Sequence, residues 1–316
     1  MDIVLLFPGQ GSQRPGMGYE LAEAFPAARA AFDAVDAALD VGLSRLCFEG
    51  PADELTRTEN AQPALLAHSA AVWAVVRESV GARVRAAAGH SLGEFTAYYA
   101  ADALTLPAAA RLVRRRGELM RAAGEARPGA MAAILGQMQT SVEDICRRAS
   151  ETAGEVVPAN FNAPDQTVIS GEIAGVESAM ALAQDAGAKR AIRLPVSGAF
   201  HSPLMAPAEP GLRAALADAA FAAPAIPVYA NVDAQPVRTA AAAEDGLRRQ
   251  LTAPVRWVDV VRALAAEYPG AVFVEMGPGA VLTGLVSRIA PQVATATCGT
   301  PADVERLLGH LAAGVS

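Results

Sequence analysis

Residues 84–101, VRAAAGHSLGEFTAYYAA, contain the pattern that decides the fold. The short, mostly apolar run 84–88 predicts a buried strand, and the run 94–101 predicts a helix. Between them lies Gly89-His90-Ser91-Leu92-Gly93, a G-x-S-x-G match. In a strand-turn-helix context, its glycines let strand and helix pass close together and its serine hydroxyl is exposed at the edge of the sheet. The stretch therefore predicts an α/β protein with Ser91 as a candidate nucleophile; the alternative is an ordinary turn.

Three other apolar runs repeat the pattern of a strand followed by a glycine-containing loop. They are residues 3–7, 271–274 and 293–297. Continuous apolar runs of this length are typical of parallel strands that are covered on both faces. Because helical patterns alternate with them, we expect an α/β fold with a hydrolase-like parallel sheet. The loops at the carboxyl edge of such a sheet are where ligands bind.

The segment 128–197 has a different order of elements, β-α-β-β-α-β. Its patterns predict strands at 130–135, 156–160, 167–170 and 190–196, helices at 141–151 and 176–186, and a turn at 162–165. That order is the ferredoxin-like split unit. We therefore expect a large α/β domain formed by residues 1–127 and 198–316, with an inserted ferredoxin-like subdomain at 128–197. The cleft between the two is the expected place for a site.

Composition argues against several classes of protein. The 316 residues include 33 acidic and 26 basic side chains, the net charge is -7, and 52% of the residues are hydrophobic. The chain is too apolar to be disordered, and no basic stripe offsets its acidic balance, so we expect no nucleic-acid partner. No stretch reaches the roughly 18 apolar residues of a membrane helix, and the apolar run near the N-terminus is too short for a signal peptide. Three scattered cysteines favour a reducing cytoplasm and, with no cluster of metal ligands, we expect no metal site.

A serine nucleophile needs a general base, and the four histidines can be compared. His68 lies in an apolar helical pattern and is expected to pack there, and His310 lies in the last helix. His90 adjoins Ser91, so its ring should project away from the hydroxyl. His201 remains, in the loop that follows the small subdomain and therefore at the expected cleft. A general base of this kind contributes on the order of 10²–10⁴ in rate.

The loop after the first strand, Pro8-Gly9-Gln10-Gly11-Ser12-Gln13, has two interpretations. A dinucleotide site is disfavoured, because Arg14 occupies the position of the third glycine of G-x-G-x-x-G. In the first interpretation, a backbone amide near Gln10 acts with that of Leu92 as an oxyanion site; losing one such donor costs about 10²–10³ in kcat. In the second, the loop is an ordinary glycine-rich turn.

Arg116 is the most informative charge in the sequence. Helical spacing places it on one face with Leu112, Val113 and Met120, so it is expected to point inward among apolar side chains. A buried guanidinium requires an acidic partner. That partner is either an internal Asp or Glu or the carboxylate of a substrate, which a planar guanidinium binds in a bidentate manner.

Taken together, these stretches resemble the malonyl-CoA:acyl carrier protein transacylases and the related acyltransferase units of polyketide synthases. The resemblance spans nearly the whole chain and rests on blocks in a fixed order. They are FPGQGSQ at 7–13, QPALL at 62–66, GHSLGE at 89–94, RG at 116–117, GAFHS at 198–202, PVRW at 254–257 and EMGPG at 275–279. The family's hydrolase-like α/β fold with a ferredoxin-like insert agrees with the element order above.

The resemblance implies roles for the candidate residues. Ser91 is the acylated nucleophile, His201 its base, and Arg116 the partner of the malonyl carboxylate. The other implied roles belong to residues around these three. Gln10 and Leu92 supply the oxyanion-hole amides, and the backbone carbonyl of Gln250 orients the histidine. Gln62 and Asn162 lie near the pocket, and Phe200 crowds an α-methyl group.

The implied activity is ping-pong transfer of a malonyl group from malonyl-CoA to the phosphopantetheine thiol of an acyl carrier protein. Malonyl-CoA is a substrate, so no cofactor is implied, and we expect a cytoplasmic monomer. An acetyl group would leave Arg116 unpaired at a cost of roughly 2–5 kcal/mol. Phe200 would discriminate against one extra methyl by only about 1–3 kcal/mol.

Two other functions stay open at this point. Some relatives of the family are thioester hydrolases that clear acyl groups from carrier proteins, but they typically lack the arginine found here as Arg116. A non-catalytic, carrier-binding scaffold is disfavoured because both Ser91 and His201 are present. The sequence does not distinguish fatty-acid from polyketide synthesis, nor does it identify the carrier protein.

Overall fold

The computed structural model describes residues 1–196 and 198–313 of the chain, which form two β-sheets with helices packed around them. The strands are β1 (Ile3–Phe7), β2 (Val84–Gly89), β3 (Ala130–Leu135), β4 (Val156–Ala163), β5 (Gln166–Gly171), β6 (Arg190–Arg193), β7 (Val228–Tyr229), β8 (Pro236–Val237), β9 (Val272–Met276) and β10 (Thr295–Cys298).

Helices connect the strands in nearly every interval. They are α1 (Tyr19–Ala24), α2 (Pro26–Leu39), α3 (Leu43–Glu49), α4 (Ala52–Thr56), α5 (Thr58–Val80), α6 (Leu92–Ala100), α7 (Leu106–Ala126), α8 (Val142–Thr152), α9 (Ile173–Asp185), α10 (Glu209–Asp218), α11 (Ala240–Gln250), α12 (Trp257–Glu267), α13 (Val281–Ile289) and α14 (Pro301–Ala313). Within the described residues, none of them is long and apolar enough to cross a membrane.

The larger sheet has six strands in the order β10-β9-β1-β2-β7-β8. All neighbouring strands are parallel except β7 and β8, which form an antiparallel edge. The first strand is buried along its whole length, with Ile3, Leu5 and Phe7 in one hydrophobic cluster and Val4 and Leu6 in a second. The sheet therefore has a hydrophobic core on each face, as expected from uninterrupted apolar strands.

The smaller sheet has four antiparallel strands in the order β4-β5-β3-β6. In chain order its elements are β3, α8, β4, β5, α9 and β6, and its helices pack on the sheet through Ile145, Ala149, Val176 and Ala179. This is the β-α-β-β-α-β arrangement of a ferredoxin-like unit. The predicted fold class, a parallel α/β sheet with a ferredoxin-like insert, is confirmed.

The chain enters and leaves the smaller sheet at one place. A Cβ atom added to Gly129, just before β3, would lie 2.6 Å from the Cβ of Ala199, which follows β6. The predicted division into 1–127 and 198–316, with 128–197 inserted, stays a prediction. Its boundary at residue 197 and the last three residues, 314–316, lie outside the described residues.

The structure corrects some local predictions. The turn predicted at 162–165 was too long, because Ala163 pairs with Gln166 and only two residues, Pro164 and Asp165, join β4 to β5. The strand predicted at 190–196 ends at Arg193. The edge pair β7 and β8 was not predicted.

Strand order determines which loops meet. Phe7 and Gly89 are the last paired residues of β1 and β2, so the loops after these two strands emerge side by side. On the other side of β2, Tyr229 of β7 pairs with Ala88. Three chain segments therefore converge at the carboxyl edge of the sheet, around residue 91.

Candidate active site

Ser91 lies in the sharp turn between β2 and α6. Its backbone has φ 51° and ψ -108°, a conformation that residues with a side chain rarely adopt. The flanking glycines make the turn possible. A Cβ atom on Gly89 would lie 1.9 Å from the carbonyl carbon of Gly93, and one on Gly93 would lie 2.0 Å from the carbonyl oxygen of Phe7. The half-buried serine is thus presented at the sheet edge by a turn that only glycine permits.

His201 is the histidine that contacts this serine. Its Nε2 atom lies 2.7 Å from Ser91 Oγ, and its Nδ1 atom lies 2.9 Å from the backbone oxygen of Gln250. Because a carbonyl oxygen only accepts hydrogen bonds, Nδ1 carries the proton and Nε2 is left as an acceptor for the hydroxyl. Burial, with the nearby charge of Arg116, lowers the pKa of His201 to about 3. The ring is therefore neutral at physiological pH and can accept a proton.

Arg116 is fully buried and reaches the same serine. Its guanidinium donates to Gln62 Oε1 at 2.7 Å, to Gln250 Oε1 at 2.9 Å and to Ser91 Oγ at 3.2 Å. It also lies over the ring of Phe95, 5.2 Å from the centroid. Burial lowers the pKa of Arg116 to about 10, so the group remains a cation at neutral pH.

The buried arginine lacks the direct acidic partner that we expected of a structural ion pair. Within the described residues, no carboxylate oxygen lies within 4.0 Å of its nitrogens. The carboxylate that acts on it is Glu94, which is completely buried and contacts the side chain of Gln250 rather than the guanidinium. A neutral amide thus separates the two charges, and the guanidinium has no carboxylate bound to it.

The two amides of the predicted oxyanion hole lie in adjacent loops. Gln10 follows β1 and Leu92 opens α6, and a Cβ atom on Gly9 would lie 2.7 Å from the backbone oxygen of His90. In the described part of the chain, neither the Gln10 nor the Leu92 backbone N–H donates a hydrogen bond. Neither N–H is therefore occupied by another group of the described residues, and their assignment to an oxyanion hole stays a prediction.

Two further predicted residues lie beside this centre without contacting Ser91. Asn162 Oδ1 lies 2.7 Å from Nε2 of His90, whose half-buried ring packs against Trp257. Phe200 is buried and, together with Gln10, lines a cleft of about 880 Å³. Asn162 therefore holds the residue before the serine, and Phe200 forms part of the wall of the cleft next to the loop that carries Gln10.

Comparison with known proteins identifies the family. The acyl transferase domain family matches residues 4–313. The chain belongs to this acyl transferase family. Malonyl CoA-acyl carrier protein transacylase of Bacillus subtilis (strain 168) is 46% identical over 303 residues, which are 96% of this chain and 95% of that protein. The corresponding transacylase of Escherichia coli (strain K12) is 42% identical over 97% of this chain and 99% of its own length.

Solved structures agree with this assignment. Acyl-carrier-protein S-malonyltransferase from Bartonella henselae matches with a TM-score of 0.93 at 44% identity, covering 99% of this chain and all of that chain. A malonyl-transacylase solved in complex with its type II PKS acyl-carrier protein matches with a TM-score of 0.93 at 40% identity, covering 98% of this chain and 100% of that one. The predicted family, and the prediction that the chain is an acyltransferase, are confirmed.

Two residues of this acyltransferase site were not assigned a role from the sequence. Glu94 lies one helical turn after Ser91, and an acidic residue in such an apolar helix was the available signal. Its Oε2 accepts from the Gln250 side chain at 2.7 Å and from the Asn231 backbone at 3.0 Å, and burial raises the pKa of this carboxyl above its usual range. Asn231, whose side chain contacts the serine turn, follows a strand too short to predict and carries no motif.

Proposed function

We propose that this acyltransferase moves a malonyl group from malonyl-CoA to the phosphopantetheine thiol of an acyl carrier protein through a malonyl-Ser91 intermediate. The observation that carries the proposal is the 3.2 Å contact between Arg116 and Ser91 Oγ, made by a buried guanidinium to which no carboxylate of residues 1–196 or 198–313 is bound. An acyl group attached to Ser91 that ends in a carboxylate would meet this cation. The names of the relatives support the same donor and acceptor.

The first half-reaction follows from the contacts of Ser91. His201 Nε2 takes the hydroxyl proton while Oγ attacks the thioester carbonyl carbon. The carbonyl oxygen becomes an oxyanion that the backbone N–H groups of Gln10 and Leu92 would stabilise. Collapse of the intermediate breaks the carbon–sulfur bond, and the proton on His201 passes to the departing thiolate of coenzyme A.

The second half-reaction is the reverse with a different thiol. The phosphopantetheine thiol gives its proton to His201 and attacks the malonyl ester carbon; the bond from this carbon to Ser91 Oγ then breaks, and His201 returns the proton to Oγ. Burial of His201 supports the proposal, because a site that excludes water limits hydrolysis of the ester. Gln250 would keep the imidazole in the tautomer that both steps use, through its backbone oxygen.

Selection of the acyl group would rest on two residues. Arg116 would bind the malonyl carboxylate, and its present contacts with Gln62 and Gln250 would hold the guanidinium in place. Phe200 would oppose an α-methyl branch, a smaller effect of about 1–3 kcal/mol. The cleft that Phe200 lines together with Gln10 would admit the thioester arm.

The other properties predicted from the sequence belong to the same proposal. The reaction would use a thioester donor, a thiol acceptor and the chain's own side chains, with no cofactor or metal. The protein would act as a cytoplasmic monomer on acyl carrier protein, without nucleic-acid or membrane partners. A thioester hydrolase is the competing function, and the unpaired charge of Arg116 favours malonyl transfer over it.

Mass spectrometry of the intact protein tests the proposal. Incubation with malonyl-CoA should add one malonyl group, and Ser91→Ala should abolish the adduct. Ser170→Ala is the control, because Ser170 is a buried serine that lies on β5 of the small sheet, away from His201 and Arg116. An unmodified wild-type protein would refute the proposal.

A second measurement separates transfer from hydrolysis and identifies the carrier. Thiol release from malonyl-CoA is followed with no carrier protein and with fatty-acid or polyketide holo carrier proteins. Transfer predicts slow release alone and fast release with one of the carriers, whereas fast release without any carrier would favour the hydrolase.

A further inference from the structure

Asn231 lies beside the nucleophile because of the strand order. β7 pairs in parallel with β2, with Tyr229 opposite Ala88, so the chain that leaves β7 passes the turn at Ser91. The Asn231 side chain is completely buried at this position. It is therefore a polar group enclosed next to the reacting serine.

The Asn231 amide bonds to the backbone at two points of the serine turn, one on each side of His90. Its Oδ1 accepts from the Ser91 N–H at 2.7 Å, and its Nδ2 donates to the Gly89 backbone oxygen at 2.8 Å. These two bonds bridge the turn in which Ser91 has a positive φ. A turn with such a sparsely populated conformation persists only when its surroundings hold it.

Asn231 is itself fixed by contacts that do not involve Ser91. Its backbone N–H donates to Glu94 Oε2 at 3.0 Å, and its backbone oxygen accepts from the Arg256 N–H at 2.9 Å. Glu94 Oε2 also accepts from the Gln250 side chain at 2.7 Å. Asn231, whose side-chain amide bonds to the serine turn, is thus held by contacts with α6, with α11 and with the segment before α12.

We propose that Asn231 is a positioning residue that holds the Ser91 turn in its reactive conformation. It sets the 2.7 Å contact between Ser91 Oγ and His201 Nε2, and it also sets the direction of the adjacent Leu92 N–H. It touches neither the substrate nor the base, so its effect falls on the chemical step rather than on acyl-group selection. The choice of malonyl-CoA as the substrate in this inference rests on the proposed function.

Charged groups around the turn determine at which pH a carboxylate at position 231 would be ionised. Glu94 on α6 and Arg116 on α7 are the nearest buried charges. His201 and His90 flank the serine, both with pKa values lowered by burial. Asp233, after β7, is an ion-pair partner of Arg249 on α11.

The test compares Asn231→Ala and Asn231→Asp with wild type. Loss of both bonds in Asn231→Ala should lower kcat about 100-fold, because a misplacement of about 1 Å costs this much, while KM and the malonyl:acetyl preference stay unchanged. In Asn231→Asp an ionised carboxylate would place an oxygen against the Gly89 oxygen, with Glu94 nearby. Its kcat should therefore rise as the pH falls and the carboxyl becomes a donor, a pH response that Asn231→Ala lacks.

Glu275→Gln is the matched control. Glu275 is as buried as Asn231, and its Oε2 accepts from the Thr283 N–H at the start of α13, so its substitution disturbs the fold without touching Ser91. All variants are measured below their melting temperatures. A kcat of Asn231→Ala within about threefold of wild type, or no lower than that of Glu275→Gln, would overturn the proposal.

A fluorophosphonate probe separates this inference from the proposed function. The probe modifies a serine that is activated by a base, and it needs no malonyl carboxylate. Slower labelling of Asn231→Ala than of Glu275→Gln supports the positioning role even if malonyl-CoA were not the donor. Equal labelling rates contradict it, whatever the substrate is.

Discussion

Replacing Arg116 with alanine should reverse the preference for malonyl over acetyl groups. In the wild-type site an acetyl group leaves the guanidinium without a carboxylate, but Gln62 and Gln250 still accept hydrogen bonds from it. The cost of the missing carboxylate is therefore at the low end of the expected range, about 2 kcal/mol. This corresponds to a malonyl preference of about 30-fold in kcat/KM.

In Arg116→Ala the malonyl carboxylate would be buried without a cation. An uncompensated buried charge costs about 3–5 kcal/mol. The kcat/KM for malonyl-CoA should therefore fall by about 10²–10³-fold, while that for acetyl-CoA changes little. Arg116→Lys keeps the charge but loses the planar fork, so we expect an intermediate preference.

The assay is the steady-state transfer of each acyl group to a holo carrier protein, with the ratio of the two kcat/KM values as the readout. Arg114→Ala is the matched control. Arg114 lies two residues away on the same helix, but its side chain donates to Asn60 Oδ1 and Glu118 Oε1 instead of contacting Ser91. An unchanged malonyl:acetyl ratio in Arg116→Ala would refute the role of this arginine.

Three further predictions concern stability, thiol reactivity and the serine turn. Burial lowers the pKa of His68 to about 4 and that of His201 to about 3, below the 6.5 expected when unfolded. As the pH falls, the unfolded chain therefore takes up protons before the folded chain does. At pH values below about 6.5, the free energy of unfolding should decrease by about 1.4 kcal/mol per pH unit for each histidine. The urea midpoint should then be lower at pH 5 than at pH 7, and equal midpoints would contradict this prediction. Burial raises the pKa of Cys146 and Cys298 to about 12, so a thiol reagent should react with them only after unfolding; rapid reaction of the native protein would disprove this. Gly89→Ala should prevent folding of the serine turn, because its Cβ would overlap Gly93, and soluble protein with wild-type activity would disprove the overlap.

The sequence predicted the elements that have strong local signals. β1, β2, β9 and β10 consist mostly of apolar and β-branched residues and lead into loops with glycine or proline, and such runs are recognisable without knowledge of their neighbours. β7 and β8 have only two residues each, which is too short for any periodicity. They form strands because β2 offers an edge for pairing, which depends on the tertiary structure and not on the local sequence.

The residues of the site also fall into those with a local sequence signal and those without one. Ser91 carries a motif, His201 followed from comparing four histidines, and Arg116 followed from the apolar face of its helix. Asn231 has no such signal, because its importance comes from lying next to a turn that precedes it by 140 positions. Glu94 offered a signal as an acidic residue in an apolar helix, but its link to Arg116 was not predictable because it runs through the side-chain amide of Gln250.

The close approach of Gly129 and Ala199 determines how the small sheet is attached to the rest of the enzyme. Because the chain departs from and returns to one point, the larger sheet does not depend on the insert to bring its two chain segments together. Insertions are tolerated where the two ends lie close, and shortening a loop between such ends costs little chain entropy. The small sheet is thus exchangeable, and grafting the corresponding unit of another acyltransferase between these two positions would change one wall of the cleft. The graft would replace Asn162, which holds His90, but would leave Ser91, Arg116 and Asn231 in the larger domain.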